Sequence, residues 1–245
     1  MSVIDSKVAL ITGAGRRLGA RIATTLHAHG LRVAVHFNRS STAAHSLVEQ
    51  LNAARPASAS AFAADLGDEA ALRTLLEAVT QTFGRLDVLV NNASVFRATP
   101  IGANSSADWD EILDTNLKAP YLLSELAVPS LKAQRGCIIN LTDVYADRPR
   151  PNYAIYCISK AGLVGLTRAL ARDLAPEIRV NAVAPGAILW SADASTTEQA
   201  AILARTPLAR AGEALDIATA VRYLVDAEYV TGQVLAVDGG RSIFD

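Results

Sequence analysis

The chain has 245 residues, 51% apolar and 19% charged, a composition that supports one large folded domain and excludes a disordered chain. A formal net charge of −1, with both signs spread along the sequence, leaves no basic footprint for nucleic acid and no polybasic membrane segment. The isolated Cys137 and Cys157 read as buried small hydrophobes in a reducing compartment, and the histidines show no metal-ligand spacing, so no metal is expected.

The chain runs straight into a strand at Val8–Ile11, with no leader pattern before it and no unbroken run of eighteen apolar residues anywhere. A cytoplasmic protein acting on a small molecule is expected. Behind the strand, T-G-A-G-R-R-L-G opens a helix at Leu18–His29. Gly13 and Gly19 remove side chains where the backbone turns and a pyrophosphate must approach, and with Arg17 and Leu18 they set that phosphate at a helix N-terminus. The second strand, Arg32–Asn38, ends in H-F-N-R-S and precedes a helix at Thr42–Arg55. No acidic residue stands there to bond the free ribose 2′-hydroxyl of NAD. Arg39 and Ser40, with Asn38 and Arg17, would instead surround a 2′-phosphate, so NADP(H) is the expected cofactor, with His36 of the same run among its neighbours.

A third strand at Ser60–Ala64 leads to Asp65 and Leu66, where the carboxylate would accept from adenine's amino group, and then to a helix at Glu69–Phe83. The fourth strand, Val88–Asn91, ends in N-N-A, which places Asn92 and Ala93 on the same ligand-binding edge. There follow a helix at Trp109–Ala133, a strand at Cys137–Leu141, a helix at Ile155–Leu174, a strand at Arg179–Ala184, a helix at Ala214–Leu224 and a strand at Gln233–Val237. This β-α alternation with right-handed crossovers predicts a single α/β domain: a doubly wound, parallel, seven-stranded Rossmann-type sheet with helices on both faces. Residues 187–210, following Pro185 and Gly186, read as a loop or small helical lid over the substrate.

Tyr156 and Lys160 stand at i, i+4 in Y-C-I-S-K, and Asp143 precedes the tyrosine at the end of the fifth strand. The lysine cation is expected to draw the phenol pKa down from about 10, making Tyr156 a proton donor near neutral pH. The carboxyl of Asp143, partly buried near cofactor phosphates, is expected to be raised, so that it can carry a proton.

Taken together, T-G-x-x-x-x-x-G, N-N-A, Asn116 within D-T-N, Y-x-x-x-K and A-P-G resemble the short-chain dehydrogenase/reductase family over almost the whole chain. Two positions depart from it: the usual middle glycine is Arg17, and the usual catalytic serine is Asp143. With N-N-A-S-V-F, T-D-V-Y and A-P-G-A-I-L-W, those departures resemble the pteridine reductase branch, including bacterial dihydromonapterin and dihydrofolate reductases. The resemblance implies NADPH-dependent reduction of a dihydropteridine by a homotetramer assembled through the helices at 109–133 and 155–174. It implies that Arg17 and Ser94 touch both cofactor and pterin, that Phe96 stacks on the pterin ring, and that Leu189 and Trp190 line the substrate side. Lys160 would hold the nicotinamide ribose and Asn116 a water chain behind it. The alternative activity is NADPH-dependent carbonyl reduction, for example of 3-oxoacyl thioesters. A non-catalytic NADP(H) sensor is a further alternative, disfavoured by the presence of both Tyr156 and Lys160.

Overall fold

The computed structural model describes residues 6–190 and 195–243. Seven parallel strands, β1 (Val8–Ile11), β2 (Arg32–Phe37), β3 (Ala59–Ala63), β4 (Val88–Asn91), β5 (Cys137–Leu141), β6 (Arg179–Pro185) and β7 (Val234–Val237), form one sheet in the order β3-β2-β1-β4-β5-β6-β7. The doubly wound fold is as the sequence predicts. Strands such as V-A-L-I and C-I-I-N-L are buried along their full length because helices cover both faces of the sheet, which is why they read as continuous apolar runs rather than alternating ones.

On one face, α1 (Arg17–Ala28), α2 (Ser41–Ala54) and α8 (Ala214–Asp226) pack Ile22, Leu26, Leu51, Val221 and Leu224 against Ile11, Val33, Val35 and Ile139. On the other, α3 (Glu69–Phe83) and α5 (Ala119–Ala133) pack Leu72, Leu75, Leu123 and Leu131 against Leu10, Leu89 and Ile138. Each large side chain so buried contributes about 1.5–3 kcal/mol, and Leu10→Ala would cost roughly 2–5 kcal/mol by leaving a cavity. The strand order reverses between β1 and β4. At that switch point the carboxyl ends of neighbouring strands open a crevice, and both the glycine turn after β1 and N-N-A after β4 lie in it.

Two corrections to the predicted elements bear on the site. The single helix expected over Trp109–Ala133 is three pieces: α4 (Ser106–Leu113), a π turn at Asp114–Lys118, and α5. Its start moves upstream because Ser105 and Asp108 form a capping box, each side chain bonding the other's backbone N–H. The 187–210 segment contains α7 (Thr196–Ala204), capped by Ser195, while positions 191–194 of the expected lid lie outside the described residues. Remaining boundaries agree or shift by one residue or two. The helix that carries Tyr156, α6 (Ala154–Asp173), is among the described residues the single helix long and apolar enough to cross a membrane, and half of that stretch is buried inside the protein.

A polar girder ties the sheet to that helix: Asn91 Nδ2 donates to Asn140 Oδ1 at 2.9 Å, and Asn140 Nδ2 to Thr167 Oγ1 at 2.9 Å. These buried amide bonds tie β4, β5 and α6 together, and so fix where their ends meet.

Candidate active site

The glycine turn is built to face an anion. Helix α1 starts behind Arg16, whose side chain makes no cap, and carries no acidic residue in its first turn, so no side chain claims its leading N–H groups. Gly13 has φ of 64°, and a Cβ there would lie 3.0 Å from Ala93 Cα, so the turn and the N-N-A segment meet without room for a side chain. Its N–H donates to His36 Nδ1 at 3.0 Å, while His36 Nε2 bonds the carbonyl of Ala64 at 3.1 Å. That pair of bonds requires the neutral ring with its proton on Nε2, and burial pulls the histidine down to about 4. His36 therefore bolts the turn after β1 to β2 and to the residue following β3, a positioning role beyond the expected cofactor contact.

Arg17 occupies a left-handed backbone conformation, φ 52°, that a glycine would adopt without strain. Its guanidinium reaches the carbonyl of Trp190 at 3.2 Å and so joins the cofactor turn to the start of the lid segment. Thr12, not singled out from the sequence, fixes the facing edge: its hydroxyl accepts from the N–H groups of Asn92 and Ala93 at 2.9 and 3.0 Å.

With one exception, the residues expected to hold cofactor or substrate, or to react, line a single cavity of about 1040 Å³ that runs from Asn38, Arg39 and Ser40 past the glycine turn to Tyr156. Asp65, Leu66, Asn92, Ala93, Ser94, Pro185, Gly186, Leu189 and Trp190 all belong to its wall. A dinucleotide fits this wall, since a side-chain-free turn and an uncapped helix start lie midway along it and an arginine, not a carboxylate, stands at the end of β2. The exception is Asn116 in the π turn. Its amide donates to Val95 O at 3.0 Å and Ser159 Oγ at 3.1 Å and accepts from Val95 N at 2.7 Å, so its side chain clamps the loop after β4 onto α6 beside Lys160. A single π turn interrupting two α-helical runs is a recurrent way of aiming one residue into a site.

At the reacting end, the Tyr156 hydroxyl donates to Asp143 Oδ2 at 2.7 Å, and Asp143 Oδ1 accepts from Tyr145 N at 2.9 Å. Lys160, almost fully buried, donates to the carbonyl of Leu141 at 2.8 Å. Burial raises Asp143, opposed by its bonds from Tyr145 and Tyr156 and by the charges of Lys160 and Arg241. Tyr156 rises well above the ordinary tyrosine range, through burial first and then through the charge of Asp143 and the bond to it. This corrects the expectation that Lys160 lowers the phenol: the ammonium lies 5.6 Å from the ring centroid and bonds a carbonyl, whereas the carboxylate touches the hydroxyl. Lys160 itself is drawn down to about 8 by burial, with Asp143 opposing.

Phe96 lies half-open in the cavity, stacked on Tyr153 at 4.7 Å and 23° and edge-on to Tyr156 at 4.7 Å and 83°. Arg150 lies beside both stacked rings, 4.3 Å from the Tyr153 centroid and 5.6 Å from that of Phe96, and pairs with Glu198 of α7. Arg150 and Glu198, which line the cavity, and Tyr153, which supports Phe96, were not legible, because R-P-R-P-N-Y reads as an ordinary exposed turn until the lid helix is docked on it.

The chain has clear relatives. A family described as enoyl-(acyl carrier protein) reductase matches residues 13–242. The chain is similar to the 3-oxoacyl-[acyl-carrier-protein] reductase FabG of Staphylococcus aureus, 40% identical over 241 residues covering 96% of this chain and 98% of that protein. It is 36% identical over 249 residues to the 3-oxoacyl-[acyl-carrier-protein] reductase of a Synechocystis species, with both chains covered in full. It is 38% identical over 248 residues to an uncharacterized oxidoreductase of Methylorubrum extorquens, covering 98% of this chain and 99% of that one.

Proposed function

Because this chain belongs to the short-chain dehydrogenase/reductase family of NAD(P)-dependent oxidoreductases, we propose that it reduces a dihydropteridine to the tetrahydro form with NADPH. The observation that carries this reading is the carboxyl of Asp143 in direct contact with the Tyr156 hydroxyl. A serine in that place would orient a ketone oxygen but could not store a proton; a carboxyl can.

NADPH would lie along the cavity with its 2′-phosphate at Arg39 and Ser40, its pyrophosphate at the glycine turn and its nicotinamide ribose near Tyr156 and Lys160, and when bound it supplies a hydride. The chain's own task is the proton. With Asp143 ionised, the phenol hydrogen points at the carboxylate and both groups hold it tightly. Uptake of a second proton on Asp143 frees the phenol hydrogen to turn into the cavity toward a ring nitrogen of the substrate. Phe96, held by its stack on Tyr153, offers a flat wall against which a heteroaromatic ring gains dispersion and a fixed orientation. The reading includes a homotetramer, supported by Trp109, Tyr121 and Ile158, 44–48% exposed on α4, α5 and α6.

A second reading, reduction of a 3-oxoacyl thioester, is favoured by the names of the relatives at 36–40% identity. Both are tested by following NADPH oxidation with dihydrobiopterin, dihydrofolate and acetoacetyl-CoA. The pteridine reading expects turnover of the first two to exceed that of the thioester by at least an order of magnitude. Fast thioester turnover with inert pterins would replace it by the second.

A further inference from the structure

A second cavity, of about 460 Å³, opens beside the active site and shares three residues of its wall: Tyr145, Arg150 and Arg241. Arg148 and Arg205 complete a set of four guanidinium groups around it, against the single carboxylate of Asp147. Arg150 is paired with Glu198. The rest form no ion pair among the described residues: Arg148 Nε donates to the carbonyl of Ser242 at 3.2 Å, and Arg241 Nη2 donates to the Tyr145 hydroxyl at 2.8 Å while lying 4.9 Å from that ring's centroid. Those acceptors fix the guanidinium planes without cancelling their charge. Like charges gathered at one concave wall repel one another, and the arrangement is stabilised when an anion enters. Planar, oriented guanidinium groups are also the donors that suit carboxylate and phosphate oxygens.

The position says what the anion is attached to. Val144 and Tyr145 form one wall of the cleft, and the backbone N–H of Tyr145 is bonded to Asp143, so the cleft begins one residue from the proton-carrying carboxyl. Arg205 stands at the C-terminal cap of α7, so the lid helix closes over the active site with Glu198 and over the cleft with the following residue of its end.

We propose that this cleft is the subsite for an anionic tail of the substrate, a carboxylate or phosphate group tethered to the headgroup that is reduced against Phe96 and Tyr156. The inference rests on the reading of that wall as the headgroup site, and it narrows the substrate class to reducible rings or acyl groups with an anionic extension. A glutamyl tail and a phosphopantetheine arm share that chemistry, and the experiment separates them.

The test is the double variant Arg148→Gln, Arg205→Gln, assayed on substrates matched except for the tail: dihydrofolate against dihydrobiopterin, and acetoacetyl-CoA against the acetoacetyl thioester of N-acetylcysteamine. KM for the tailed member should rise about tenfold, as loss of two partly exposed charge pairs implies, with kcat and the tailless member unchanged. Added salt should raise the wild-type KM for the tailed member selectively. Equal effects on both members, or on neither, would overturn the subsite. Which pair reacts at all decides the headgroup separately, so inert pterins sink the pteridine reading while the thioester pair still tests the cleft. A binding arm requires no turnover: p-aminobenzoylglutamate and pantetheine 4′-phosphate are titrated calorimetrically into the NADPH complex. Binding of one of them, lost in the double variant, supports the subsite and names its tail, and millimolar concentrations of both without heat overturn it.

Discussion

The Tyr156 hydroxyl and the Asp143 carboxyl share a hydrogen bond of 2.7 Å at the meeting of β5 and α6. Neither group is poised as an isolated side chain would be: burial raises both, while the bond between them acts in opposite directions, raising Tyr156 and lowering Asp143. They titrate as a pair, and the state with one proton more than the resting pair is the one that can give a proton away.

Asp143→Asn keeps the size and one hydrogen-bonding face and removes the second proton. Dihydropteridine turnover should fall by roughly 10²–10⁴-fold with little change in substrate affinity, and the wild-type rise in rate toward acidic pH should vanish from the variant. Asp143→Ser should leave pterin turnover low while preserving ketone reduction. A near-wild-type Asn variant with an unaltered pH profile would return Asp143 to a cap for the turn at Val144–Ala146.

Lys160 sets the alkaline limb. Because burial brings it to about 8, kcat/KM should decline above that pH as the ammonium loses its charge, instead of near the ordinary lysine value. The charge of Asp143 opposes that depression, so Asp143→Asn should move the limb to lower pH. A limb that stays put in the variant contradicts the coupling.

Arg39 at the end of β2 is the proposed partner of the 2′-phosphate. Arg39→Ala should lower the preference for NADPH over NADH by roughly one to two decades, leaving NADH kinetics nearly untouched. Equal weakening of both cofactors would place the arginine at the pyrophosphate or in a structural role.

His36 predicts an acid-sensitive fold. Its folded pKa of about 4 lies below the ordinary 6.5, so the unfolded chain binds the proton more readily between those values. The contribution is fully present above pH 6.5 and is lost as the pH falls toward 4, about 3 kcal/mol in all. His36→Gln should be less stable at neutral pH and show a shallower loss of Tm on acidification. Parallel Tm profiles for the two proteins would remove His36 as the cause.

Much of this was legible in advance because the physics is local. Buried parallel strands leave unbroken apolar runs, a phosphate-binding turn needs glycine, and Y-x-x-x-K needs only a helix, so β1, β4, β5 and α3 were read to the residue. What the sequence concealed depends on contacts across the fold. No pattern in D-T-N shows that a π turn interrupts the helix at Asn116, and the sign of the Tyr156 shift turned on which of two neighbours, Lys160 or Asp143, reaches the hydroxyl. Arg205 is remote from Arg148 and Arg150 until α7 folds over the R-P-R-P turn.

The π turn at Asp114–Lys118 also constrains how this chain can vary in length. An α-helix advances by about 100° per residue, so a turn holding one residue more than its neighbours puts α4 and α5 out of phase by that angle. Deleting any one residue of the turn would bring α4 and α5 into one phase, rotating Trp109 and the 95–105 loop about the axis and withdrawing the Asn116 amide from Val95 and Ser159. Substitutions on either flank leave that phase intact, whereas a single-codon gap there would dismantle the clamp with every remaining side chain unchanged.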